Sequence, residues 1–114
     1  MKFLSMYTPD QKRADVPPSK EHMAEMGKLI EDAMKTGALL ATGMVMPIST
    51  GGACVRRSEG EITVIDGPFP KELSVGFALL EAKSKEEAIE MVRCFLKIAG
   101  DGESALRQII EPER

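Results

Sequence analysis

The run Asp66-Gly67-Pro68, set between two strand-like segments, limits how this chain can fold. Upstream, Glu61-Ile62-Thr63-Val64-Ile65 alternates and is rich in β-branched residues, the pattern of a strand. Downstream, Val75-Gly76-Phe77-Ala78-Leu79-Leu80 reads as another. Between them no ladder can continue. An Asp carboxylate accepts from nearby backbone N–H groups, Gly adopts positive φ, and Pro has no N–H to donate. Phe69 follows directly, in a chain with only four phenylalanines and one tyrosine. Its ring is expected to be buried and to pin the turn back onto the sheet.

The other elements fall into place around this turn. Phe3–Tyr7 reads as a first strand, and the polar stretch Thr8–Pro18, with Pro9, Pro17 and Pro18, as a long loop. Ser19 supplies an N-cap for a helix running to about Thr36, with Gly37 just past its end. Met23, Met26, Leu29, Ile30, Ala33 and Met34 give that helix one apolar face. Leu39–Met46 is a strand stopped by Pro47, and Gly51-Gly52 opens a new segment. Ala53–Arg57 and Glu61–Ile65 form the arms of a hairpin turning at Ser58-Glu59-Gly60. A strand from Val75 to Glu81 follows the Asp66 turn. Ser84-Lys85-Glu86-Glu87 is a capping box. The helix behind it places Ala88, Ile89, Val92, Phe95, Leu96 and Ala99 on one face and ends at Gly100-Asp101-Gly102. Ala105–Glu111 is a last strand, stopped by Pro112.

With the hairpin set aside, the order is β-α-β-β-α-β in a single domain over residues 1–114. Two helices with one apolar face each can cover one side of an antiparallel sheet, which is the α+β, ferredoxin-like arrangement with a hairpin insertion. Leu39–Met46 and Val75–Leu80 are apolar at nearly every position, whereas a sheet with one face in water would alternate. The second face therefore calls for a cover, and a second copy of the chain is the expected one, giving a sheet-to-sheet homodimer.

Composition narrows the function classes. The net charge is −3, and no basic run exceeds Lys12-Arg13 or Arg56-Arg57, so the concentrated positive patch that nucleic-acid binding requires is missing. No apolar run approaches membrane-spanning length, and the first residues do not form a secretory signal, so a cytoplasmic protein is expected. Cys54 and Cys94 fit a reducing compartment, and no Cys or His pair stands at metal-ligand spacing. Eight methionines and no tryptophan suggest a core of aliphatic and thioether side chains. Gly51-Gly52 and Gly100-Asp101-Gly102 lack nucleotide-binding spacing and read as turns, so no motif implies a cofactor.

Asp66-Gly67-Pro68-Phe69, followed by Lys71-Glu72 and by Gly76-Phe77 opening the next strand, resembles the YCII-related family in its DGPF branch. The early strand ending at Tyr7, the helix ending at Gly37 before Leu39-Leu40, and the hairpin leading into Asp66 extend the resemblance over nearly the whole chain. The resemblance implies a dimeric α+β barrel, two ferredoxin-like units with their sheets facing each other. It also implies a small-molecule cleft with a His–Asp pair. Some members act as lyase-like enzymes on chlorinated aromatic compounds, and others are associated with sigma factors. The loop after Phe69 is shorter here than is usual in the branch, and His22 stands about one turn earlier in its helix than the family's histidine.

His22, the only histidine, sits in the first turn of its helix beside the apolar face, where an imidazole can act as a base. Asp66 can serve as a base, as an acceptor that orients a ligand, or as a turn-former alone. His22 and Asp66 are the candidate catalytic pair. Tyr7, Arg56 and Lys71 are candidate ligand contacts, Arg56 because a guanidinium offers a fixed fork of donors to an anion. Lys71 and Glu72 point to opposite faces of an extended chain, as do Arg56 and Arg57. Cys94, beside Phe95 and Leu96, is expected to be buried. Two readings remain: a cofactor-free lyase- or hydrolase-like enzyme, and a non-catalytic ligand-binding or regulatory module.

Overall fold

In the computed structural model, residues 1–10, 19–65, 67–69 and 74–111 are described. Strands β1 (Lys2–Pro9), β2 (Leu39–Val45), β5 (Val75–Glu81) and β6 (Gly102–Ile109) form an antiparallel sheet in the order β2-β5-β1-β6. Helices α1 (Lys20–Lys35) and α3 (Lys85–Ala99) carry the two crossovers, and α2 (Ile48–Gly51) is a single turn after Pro47. Among the described residues, strands β3 (Cys54–Ser58) and β4 (Glu61–Ile65) pair with each other alone, as a separate hairpin. The fold is ferredoxin-like α+β with that hairpin inserted between β2 and β5.

The helix ends follow the local chemistry. Ser19 Oγ accepts from the His22 backbone N–H at 3.1 Å, and Gly37 takes φ +80° just beyond the C-cap Thr36. Ser84 Oγ accepts from the Glu87 N–H at 3.2 Å. The Glu87 carboxylate reaches back to the Lys83 N–H at 3.4 Å, one residue before the usual partner in such a box. The hairpin turns on Glu59 (φ 52°) and Gly60 (φ 84°), the two consecutive positive-φ residues that match the twist of its arms.

Several boundaries and burials differ from the sequence expectation. β1 runs on to Pro9 and β6 begins at Gly102, because the two pair along their full length from Lys2↔Ile109 to Pro9↔Gly102. The rest of the long loop, 11–18, lies outside the described residues. Most methionines are not core filler: Met1, Met6, Met23, Met34, Met44 and Met46 are exposed, while Met91 packs against the core. The buried set is Phe3, Leu39, Leu80, Ala82 and Ala88, joined by Ser5. Cys94 is exposed, since three- and four-residue spacing puts it in a row with Glu90 and Lys97 on the solvent side of α3. Phe69 is half-buried, and its ring folds over Gly67 rather than into the core. Gly67 holds φ +113°, and the Gly67–Pro68 bond is cis.

Register sorts the side chains by face. Phe3, Leu80 and Leu39 are cross-strand neighbours and form one row against Ala88, the fully buried residue of α3. Ser5, Tyr7, Ala78, Gly76, Leu106 and Ser104 continue this helix-covered face. Leu4, Met6, Leu79, Phe77, Val75, Ala41, Gly43, Val45, Ala105 and Arg107 point the other way, where no helix lies. A register shift between Leu39 and Ala41 leaves Leu40 as an extra, exposed residue in β2.

Phe3 is the one large side chain buried to 1% exposure, so Phe3→Ala should cost about 3–5 kcal/mol. Urea unfolding of the variant checks this; a cost below about 1 kcal/mol would mean the row is not the core.

Candidate functional site

β1 runs from Lys2 to Pro9 and so ends beside Tyr7. β2 runs parallel to β1, so Met44, Val45 and Met46 reach the same end. Here the helix-side surface is built from Tyr7, Gly76 and Met44. A Cβ on Gly76 would stand 3.6 Å from Met44 Sδ and 3.9 Å from Tyr7 Cβ, so the glycine leaves a shallow floor between thioether and tyrosine. Met23, 61% exposed, adjoins His22 in the first turn of α1, and Met44 and Met46 are 67% and 58% exposed. The exposed, flexible thioether of Met44 makes this surface adaptable.

Tyr7 is fixed from two sides. Its hydroxyl donates to Asp101 O at 3.0 Å and lies 3.4 Å from Gly100 O. Its ring meets Phe95 edge-on, with centroids 5.3 Å apart. Asp101 O also accepts from the Asp10 N–H at 3.1 Å, so one carbonyl ties the end of β1 to the α3–β6 turn. Gly102 is obligatory in this arrangement: a Cβ would lie 2.6 Å from both Thr8 O and Tyr7 Cε1. Ser104, the cross-strand neighbour of Tyr7, has a buried Oγ with no hydrogen-bond partner.

The sequence-derived candidates divide. His22 is exposed, its backbone N–H used by the Ser19 cap. Arg56 is exposed on the separate hairpin, opposite Thr63 and on the face away from Arg57. Asp66 and Lys71 lie outside the described residues. Among the described residues no group of three or more His, Cys, Asp and Glu is arranged to hold a metal ion. No helix of the described residues is long and apolar enough to cross a membrane. Ser104, Gly76 and the exposed methionines were not among the sequence candidates. A two-residue period carried through β6 and β5 from Leu106 and Leu80 would have placed Ser104 and Gly76 on the Tyr7 face.

Gly102→Ala should destabilise the protein by about 1–3 kcal/mol, because the methyl group must displace backbone as well as the tyrosine ring. Urea unfolding with tyrosine fluorescence tests this; an unchanged midpoint would mean that the α3–β6 turn can yield.

Residues 1–111 match the family model described as the YCII-related domain. An uncharacterized protein of Rhizobium meliloti (strain 1021) is 33% identical over 73 residues, 62% of this chain. The matched stretch spans 58% of that protein's length. Among solved structures, the divalent cation tolerance protein (Cut A1) of Thermus thermophilus aligns with 99% of this chain and 88% of its own. The TM-score is 0.45, at 11% identity. With all but the last three residues inside the family match, this chain belongs to the YCII-related family.

Proposed function

We propose that this protein is a DGPF-type, homodimeric small-molecule-binding module with a regulatory task, taking its ligand at the Tyr7 end of the sheet. The observation that carries this reading is the exposed thioether of Met44 lying beside Gly76 and Tyr7. Ligand sites combine an apolar lining with a few polar groups, and the thioethers adapt to a range of flat apolar ligands. His22 adds a polar tip at the rim. Its exposed ring, and a Tyr7 hydroxyl already committed to backbone carbonyls, favour binding over proton transfer.

The homodimer rests on the helix-free face. Val75, Phe77, Leu79 and Leu4 are half-buried there, and Met6 and Val45 are exposed. The Phe77 ring lies across Gly43, where a Cβ would stand 2.9 Å from Cε1, which smooths the face into a surface that another sheet can meet. Sedimentation at micromolar concentration should give a dimer, and Val75→Asp or Phe77→Asp should give a monomer or an unfolded chain, because each leaves a charge among apolar strands. A wild-type monomer would overturn the dimer.

Ligand binding is tested by NMR titration with small aromatic acids. Signals of His22, Met44 and Gly76 should move together, and His22→Ala should weaken the response. Shifts confined to Arg56 and Arg57 would place the ligand on the hairpin. Turnover of a chlorinated aromatic acid that is lost in His22→Ala would instead support the lyase-like reading.

A further inference from the structure

Charge on the helix-free face of the sheet is sparse and ordered. By register, the charged residues that its strands place there are Lys2 on β1, Glu81 on β5, and Glu103 and Arg107 on β6. Lys2 is already bound to Glu111 at 3.1 Å, and Glu81 to the Met1 ammonium at 3.3 Å. Glu103 and Arg107 are exposed, and among the described residues neither has a salt-bridge partner in the protomer. They are opposite in sign and stand symmetrically about Ala105, each about 7 Å from its level along the strand. That level is a single cross-strand row, Ala105–Met6–Phe77–Gly43. On one side of it, the Arg107 row continues through Leu4, Leu79 and Ala41. On the other, Glu103 pairs with Thr8, and Val75 with Val45.

We propose that the helix-free face docks on a second copy of the chain about a two-fold axis crossing the strands at the Ala105–Met6–Phe77–Gly43 row, so that Glu103 of each protomer pairs with the partner's Arg107. The inference rests on the homodimer proposed above and fixes its register. Charge complementarity selects the occupant. Whatever covers this face meets an unpaired anion and an unpaired cation about 14 Å apart, and a charge covered without a partner is costly. Turned over about such an axis, the chain's own face presents the same two charges in reverse order. Both are then paired, reciprocally, as a two-fold contact requires. An axis parallel to the strands would keep every residue at its own level, where neither charge meets its complement. The same turn sets Leu79 opposite the partner's Val75 and Phe77 opposite the partner's Phe77, so the middle of the face meets apolar surface. Packed sheets lie about 10 Å apart, a gap that a glutamate and an arginine span together. β6 borders the sheet, so both pairs fall at the rim, where charges fix register more than they add affinity.

The test is charge exchange, read by sedimentation equilibrium of the full chain up to about 100 μM. Glu103→Arg and Arg107→Glu should each raise the dimer dissociation constant by about 10-fold or more, because each sets like charges opposite one another at two symmetric places. Net charge cannot produce this pattern, since the two substitutions shift it in opposite directions. Mixed in equal amounts, the two single variants should form a heterodimer within about 3-fold of the wild-type constant, the scale of an ordinary surface change, because each supplies the complement that the other lacks. Lys97→Glu, on the solvent side of α3, should change the constant less than about 3-fold. All three positions are exposed, so far-UV circular dichroism should be unchanged. A wild-type dimer that tolerates either single reversal, or single variants that fail to associate with each other, would overturn the register and leave the dimer standing. A wild-type monomer at about 100 μM would overturn both.

Discussion

Two helices cover one side of a four-stranded sheet and leave the other bare, and most features of this protein depend on that asymmetry. On the covered side, the cross-strand row Phe3–Leu80–Leu39 meets Ala88, whose lack of side chain beyond Cβ lets α3 come close. The row sits at one end of the sheet. No residue of α1 is buried, although the helix is 16 residues long, so this helix leans on the layer more than it seals it. Among the described residues the buried apolar set is Phe3, Leu39, Leu80, Ala82 and Ala88.

The opposite end of the covered side is organised by hydrogen bonds and ring contact instead. Asp101 O collects both the Tyr7 hydroxyl and the Asp10 N–H, and Phe95 holds the tyrosine ring from the side. Gly102 admits this geometry because it has no side chain to place. The result is a tyrosine wall held on two sides, with the exposed thioether of Met44 beside it.

Much of the fold was legible because its signals are local. The Ser19 and Ser84 caps, the glycines past the helix ends and the hairpin turn at Glu59-Gly60 act within a few residues of chain. The apolar runs of β2 and β5 mark both strands as members of the four-stranded sheet. What was hidden depends on register between distant strands. The length of β6 comes from its pairing with β1, and the Leu40 bulge exists only relative to β5. The burial of Cys94 was misread because its neighbours in sequence, Phe95 and Leu96, are not its neighbours around the helix. The methionines were misassigned because composition says how many there are and not where they stand. Of the candidate site residues, Tyr7 stands at the end of β1, Arg56 belongs to the separate hairpin, and Asp66 and Lys71 lie outside the described residues.

The bulge at Leu40 bears on how this molecule can be sticky without forming fibres. β2 is an outer strand of the sheet, and an outer strand with an unbroken row of free N–H and C=O groups is a template for endless strand addition. One surplus residue interrupts that row and sharpens the local twist, so an incoming strand cannot stay in register past it. On the far border, Glu103, Arg107 and Gln108 keep β6 polar. The borders are thereby poor templates for strand addition, and the proposed face-to-face dimer would close after one partner instead of propagating.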